Sequence, residues 1–255
     1  MSKLLIFIPC YRCENQIERV IYKLKESKIE ASVLLIDNLS PDHTLDKAQE
    51  ALDKYHVSPA VILRNSQNYN LGGSHKVAFN YALEHDFSHV IVLHGDDQAD
   101  LSDLIPLIEA KYHLEYDCLL GSRFHPRSRL MGYSKFRIFG NKILNRFCSL
   151  VCGATISDMG SGLNMYSAHF LKDSRYLTFP NDLTFNVSLL FHSYLSRYKI
   201  SFFPISWCEE DQVSNAKIFT QMKIILTTII KVLENKSALY TGPSQLYSSE
   251  VIYKK

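Results

Sequence analysis

The sequence predicts an α/β fold, a doubly wound, mostly parallel sheet with helices on both faces. Three observations carry that prediction. Short apolar runs without polar alternation recur through the first half, as strands buried on both faces require. Single stretches with apolar residues at helical spacing separate them. Polar turns follow each run, where open α/β sheets bind ligands.

The elements follow in order. "KLLIFIPCY" is a strand that enters a loop at Pro9, and Ile17, Val20, Ile21 and Leu24 mark the helix behind it. "SVLLID" is the second strand, ending at Asp37, and Leu45, Ala48, Leu52 and Tyr55 mark the inner face of the next helix. "AVILRN" is the third, and the turn "NLGGS" opens a helix through Val77, Ala78, Tyr81 and Ala82. "HVIVLHG" is the fourth, and "DCLLGSRF" the fifth, delivering Ser122 and Arg123 to the same edge.

After residue 125 the pattern changes. A basic loop, "HPRSRLMGYSK", precedes a long helix expected to bury Phe136, Phe139, Ile143, Leu144, Phe147 and Val151. "SDMGSGLNMYS" reads as a turn and a short strand, Leu183 to Tyr198 as a helix, and "KISFFPISW" as one further strand. "KIFTQMKIILTTIIKVL" is an amphipathic helix, lying on a membrane or packed on the domain or a partner subunit. The polar tail from Asn235 is expected to be partly unstructured or folded over the site. No linker interrupts the chain, so residues 1–217 are expected to form one domain, followed by the C-terminal helix and tail over 218–255.

With 255 residues, 46% hydrophobic and 21% charged, the composition is that of a globular domain. A net charge of +2 lacks the basic excess of a nucleic-acid binder, so no nucleic acid is expected as partner. Leu4 to Ile8 is too short for a signal-peptide core, and no apolar run has bilayer-spanning length. A cytoplasmic location is expected, with peripheral contact to the cytoplasmic face of a membrane left open, as is homo-oligomer formation. The six cysteines have no framework spacing, and Cys10–Cys13 is a lone CxxC, so reduced thiols are expected.

The strand-end residues converge on one pocket. Pro9 and Tyr11 follow the first strand, Asp37 ends the second, Asn70 and Gly72 follow the third, and Asp96 follows the fourth. The turn "HGDDQAD" clusters carboxylates that repel one another unless a cation, a donor network or solvent answers them. A hard cation on Asp96, shared with substrate phosphates, suits that position. The plainer reading has Asp100 and Ser102 capping a helix near Leu101, with Asp97 solvated.

The segments "IPCYRCENQI", "LLIDNLSPDHT", "NYNLGGSHKVAFNYAL", "VIVLHGDDQADLSDL", "GSRF", "RIFGN", "SDMGSGLNMYS" and "YKISFFPISW" stand in an order that resembles family 2 glycosyltransferases of the GT-A fold, including polyprenyl-phosphate (dolichyl-phosphate mannose synthase-like) sugar transferases. The resemblance implies that Pro9, Tyr11 and Asp37 line the nucleoside pocket and that Arg123 sits near the diphosphate, with Asn70, Gly72 and Lys76 as further candidate nucleotide contacts. Asp96 falls on the last Asp of the family's DXD metal motif, and Asp158 precedes the "SGL" stretch beside the acceptor. Three positions depart from the pattern. His94 stands first in the DXD motif, so the cation, Mn²⁺ or Mg²⁺, rests on Asp96 with His94 as helper, and imidazole favours Mn²⁺. Asn186 and Ser188 occupy a helix where relatives carry Glu. Glu209, Glu210 and Asp211 stand where polyprenyl-phosphate synthases place a basic residue, leaving Arg127, Arg129 and Lys217 as acceptor or phosphate contacts.

The expected activity is inverting transfer from a nucleotide-diphosphate sugar to a glycan or polyprenyl-linked acceptor, in cell-surface polysaccharide or glycolipid synthesis. A hydroxyl acceptor needs a general base within hydrogen-bond reach, with Asp158 the first candidate and Asp182 the second. A lipid phosphate needs none. A sugar-phosphate nucleotidyltransferase shares the sheet architecture but wants a glycine-rich loop that "PCYRCENQ" lacks. A catalytically inactive module that binds a sugar nucleotide or glycan is the alternative, motivated by His94.

Overall fold

A computed structural model describes residues 3–210 and 218–255. The first half alternates as expected: β1 (Leu4–Cys10), α1 (Ile17–Glu26), β2 (Ser32–Asp37), α2 (Thr44–Lys54), β3 (Ala60–Asn65), α3 (Asn70–Glu84), β4 (His89–Leu93), the short α4 (Ile105–Glu109) and β5 (Cys118–Ser122). The second half comprises β6 (Arg129–Met131), α5 (Lys135–Cys152), β7 (Leu163–Ser167), α6 (Ala168–Leu171), α7 (Thr184–Leu195), β8 (Ile200–Pro204), β9 (Ser206–Cys208), α8 (Ile218–Glu234) and β10 (Ser249–Lys254).

One eight-stranded sheet runs in the order β10-β3-β2-β1-β4-β7-β5-β8. The β1–β2, β2–β3, β1–β4 and β5–β8 pairs are parallel, whereas β7 runs antiparallel between β4 and β5, and β10 antiparallel along β3. The core lies on both faces. Leu4, Ile6 and Ile8 of β1 pack with Ile17 and Ile21 of α1 and Leu52 of α2. Leu5 and Phe7 turn the other way, into the layer of Phe79 from α3 and Phe185 from α7. A strand covered on both sides has no polar face to alternate with, which is why "LLIFI" is unbroken. Truncating the fully buried Phe7 to Ala costs about 3–5 kcal/mol.

The second half departs from expectation in its packing. α5 buries Leu144, Asn145, Cys148 and Val151, while Phe136, Phe139, Ile143 and Phe147, expected inside, are exposed. The helix is apolar on two sides and only one of them meets α7 and α8. "KISFFPISW" divides at Ile205 into β8, which joins the main sheet, and β9, which pairs with β6. α8 buries Ile225, Ile229 and Val232 in the core, and the tail beyond it forms a 3₁₀ turn (Lys236–Tyr240) and then β10. Among the described residues no helix is long and apolar enough to cross a membrane.

Candidate active site

β1 has β2 on one side and β4 on the other, so the strand order reverses there and leaves a crevice at their carboxyl ends. A cavity of about 440 Å³ opens at that point. Its lining includes Pro9, Tyr11, Arg12, Asn38, Asn68, Asn70, His94, Asp96, Gln98, Arg137, Asp182 and Glu209.

The acidic turn after β4 separates its carboxylates by direction. His94 N donates to Gly162 O at 3.1 Å and Gly95 N to Pro9 O at 3.2 Å, tying the turn to both neighbours. Asp97, at φ 59°, points back to α1. There it meets Arg19 Nε at 3.0 Å and Lys23 Nζ at 2.8 Å, so it is ion-paired and not simply solvated. Asp100 accepts from Ser102 N at 2.9 Å and caps the 3₁₀ turn Leu101–Asp103, as the plainer reading had it. Asp96 is the carboxylate at the cleft. Burial raises its pKa, with His94 pulling the other way.

His94 is held by shape. An added Cβ on Gly162 would lie 3.2 Å from His94 Cγ, so a side chain there would press on the ring. His94 Nε2 is buried with no hydrogen-bond partner, and burial lowers the imidazole pKa, keeping it neutral. A neutral, partnerless ring nitrogen beside a desolvated carboxylate fits a divalent cation. Among the described residues no group of three or more His, Cys, Asp or Glu side chains is placed to hold a metal ion.

Several expected nucleotide contacts have other work. Asp37 is fully buried outside the cleft lining. Its Oδ1 accepts from Ser40 N at 3.1 Å, Arg64 Nε stands 3.3 Å from Oδ2, and burial raises its pKa. The next residue, Asn38, lines the cleft instead. Its Oδ1 accepts from Asn65 Nδ2 and Tyr69 N, both at 2.9 Å, and its Nδ2 donates to Asn68 Oδ1 at 2.8 Å. Gly72 packs closely on the 180–181 backbone, where an added Cβ would fall 2.7 Å from Pro180 O. Lys76 is 2% exposed and donates to Phe179 O at 2.6 Å and Asn181 Oδ1 at 2.9 Å. Burial lowers its pKa to about 8. It thus anchors the loop that carries Asp182 to the cleft.

Arg123 and Asp158 find each other. Arg123 Nε donates to Oδ2 at 2.8 Å, Nη2 to Oδ1 at 2.9 Å, and the backbone N to Oδ2 at 2.9 Å. The guanidinium lies 5.0 Å from the Trp207 ring centroid. Neither residue lines the cleft, and both Asp158 oxygens are engaged, which sets Asp158 apart from a poised base. Asp182 does line it, with Oδ1 accepting from Thr184 N at 2.8 Å and Thr184 Oγ1 at 2.5 Å. Arg127 and Arg129 are exposed outside the cleft. Lys217 lies outside the described residues.

Sequence reasoning missed the cleft's own ion pair. Arg137 Nη1 donates to Glu209 Oε1 at 2.7 Å and Oε2 at 2.5 Å. Gln98 Nε2 and Trp207 Nε1 each reach Glu209 Oε1 at 3.4 Å. The clue was Arg137 in "RIFGN", on the side of α5 away from its aromatic residues. All six cysteines are free thiols; Cys10 at the cleft is buried, which raises its thiol well above the usual range.

The Glycosyl transferase family 2 model matches residues 5–175. The chain is 24% identical over 196 residues to the undecaprenyl-phosphate mannosyltransferase of Micrococcus luteus, covering 74% of this chain and 79% of that protein. Glucosyl-3-phosphoglycerate synthase from Mycobacterium tuberculosis, solved with Mn²⁺, uridine diphosphate and glucosyl-3-phosphoglycerate, has a TM-score of 0.61 at 11% identity, covering 99% of this chain and 88% of that one. TarS of S. aureus also has a TM-score of 0.61, at 17% identity, covering 92% of this chain but 40% of TarS. Sheet topology and these likenesses together give the GT-A fold.

Proposed function

The chain belongs to glycosyl transferase family 2, and we propose that it moves a sugar from a nucleoside-diphosphate donor to a glycan or lipid-linked acceptor, with inversion at the anomeric carbon. The observation that carries this reading is the cleft at the β1/β4 switch point, where Asp96 and the partnerless Nε2 of His94 lie together. The Mn²⁺ and uridine diphosphate held by the Mycobacterium tuberculosis structure support a cation-assisted donor site.

Tyr11 and the turn braced by Asn38 contact the nucleoside. Asp96 and His94 are the side chains that would hold Mn²⁺ or Mg²⁺, which would supply Lewis-acid stabilisation to the departing diphosphate. An acceptor hydroxyl attacks the anomeric carbon from the face opposite the diphosphate. Its proton passes to Asp182, a carboxylate that lines the cleft apart from both Asp96 and the Arg137–Glu209 pair. The glycosidic bond forms as the sugar–phosphate bond breaks, and nucleoside diphosphate leaves. Residues 1–217 carry this chemistry, and the C-terminal helix and tail support it. A role in cell-surface polysaccharide or glycolipid synthesis at the cytoplasmic membrane face rests on the lipid-phosphate named for the Micrococcus relative.

A thermal-shift panel of nucleoside diphosphates and their sugars, with and without Mn²⁺, tests the reading. Mn²⁺-dependent stabilisation by one nucleotide, with slow release of free sugar from its donor, is expected. Stabilisation without any turnover would leave a binding module. No response to any nucleotide would remove the donor site altogether.

A further inference from the structure

Helix α5 carries a face that nothing among the described residues covers. Phe136, Phe139, Ile143, Phe147 and Leu150 recur at three- and four-residue intervals, which stacks them in one stripe, and they are 64%, 65%, 41%, 40% and 60% exposed. A contiguous stripe of large apolar side chains marks an interaction surface, whereas scattered ones do not. Lys135, Lys142 and Arg146 are exposed on the same helix, at seven- and four-residue intervals that set them along one edge of the stripe. The helix sequence holds no acidic residue.

We infer that this face docks on a lipid bilayer carrying anionic headgroups. The aromatic rings enter the boundary between headgroups and acyl chains, and the three cations meet lipid phosphates. A second copy of the chain fits less well. A two-fold contact between such faces sets cations against cations with no carboxylate on the helix to answer them. The docked orientation also suits the cleft. Arg137, on another side of the same helix, lines the cavity, as does Leu183, which is 42% exposed. Met131, 57% exposed, accepts at its carbonyl from Glu209 N at the same rim. A lipid-borne acceptor then arrives at the open side of the pocket. This last step rests on the proposed transferase reading, and the docking itself does not.

Flotation of the full chain with phosphatidylcholine vesicles, with and without phosphatidylglycerol, tests the docking. The chain is expected to float with the anionic vesicles and to be released by salt. Lys135→Gln/Lys142→Gln/Arg146→Gln is expected to lower partition roughly 100-fold, at about a factor of five per cation. Phe136→Ser/Phe139→Ser/Phe147→Ser is expected to abolish flotation. Both variants alter exposed side chains, so their melting temperatures and their nucleotide-induced thermal shifts with Mn²⁺ should match the parent. That second readout separates failure of the docking surface from failure of the donor site. Absence of flotation by the parent chain, or variants that float equally well, would overturn the inference. Conversion of a dimer to a monomer by the same substitutions would assign the face to a second copy instead.

Discussion

Two strand ends on one sheet treat their charges in opposite ways. Beyond β4, Asp96 and His94 sit at a cleft, and burial raises the carboxyl pKa while lowering that of the imidazole. Beyond β5, Arg123 meets Asp158 in a bidentate pair with side chains 9% and 0% exposed. Both places follow an apolar run, and both were read from the sequence as site. What separates them is where each carboxylate lies: Asp158 is closed into its guanidinium pair away from the cleft, whereas Asp96 lines the cleft beside His94.

The largest expected effect tests the closed end. Asp158→Ala strands a buried guanidinium and should cost about 3–5 kcal/mol of stability in urea unfolding. Replacing both partners, as Arg123→Met/Asp158→Leu, should recover much of that loss. If Asp158→Ala instead unfolds like the parent but transfers no sugar, the contrast collapses and Asp158 returns as the base. The open end should behave inversely. Asp96→Asn is expected to lower transfer by about 100-fold or more, the scale of losing a contact to developing charge. Its melting temperature should hold or rise, because the substitution removes a carboxylate that burial disfavours. A variant that loses activity and fold together would show Asp96 to be structural too.

The same contrast explains what the sequence let us see. β1 to β4 and α1 to α3 were legible because each declares itself within a few residues, by an unbroken apolar run or a helical period. The cleft's location followed from the same pattern, since strand order puts the switch point between β1 and β4. Individual roles were less legible, because they depend on partners far along the chain. Asp97 answers Arg19 and Lys23, more than 70 positions earlier. Lys76 and Gly72 answer residues 179 to 181, more than 100 positions later. α5 failed for a different reason. Two of its sides are apolar, and periodicity alone does not say which one meets the core.

Lys76 offers a finer test, since it is a buried charge behind the open end. Its folded pKa of about 8 lies below the ordinary lysine value of 10.5. Between those values the unfolded chain binds more protons than the folded one, so stability should rise with pH through that window. The expected rise is about 1–3 kcal/mol, and Lys76→Met should flatten it. Urea midpoints at pH values spanning 7 to 11 check this. A slope that survives in Lys76→Met would mean that another group titrates there. Activity at pH 7 should change less than stability does, because Lys76 holds the Asp182 loop without touching the cleft.

The smallest expected effect lies inside the cleft, where Arg137 and Glu209 form a pair intermediate between the two strand ends. Their side chains are 30% and 18% exposed, so solvent screens them and the pair adds at most about 1 kcal/mol of stability. Its consequence for binding should be easier to see. Glu209 cancels the charge of Arg137 in a cavity proposed to receive a diphosphate. Glu209→Gln frees that charge and is expected to tighten nucleoside-diphosphate binding about threefold, less than the full worth of a close charge in low dielectric. Added salt should shrink the difference, because a charge effect at a solvent-reached rim is screened over a Debye length of about 8–10 Å. Calorimetry of parent and variant at two salt concentrations separates the outcomes. Weaker binding in Glu209→Gln would mean that the carboxylate contacts the donor directly. The cleft would then hold a third working acid beside Asp96 and Asp182, with Arg137 positioning its carboxylate.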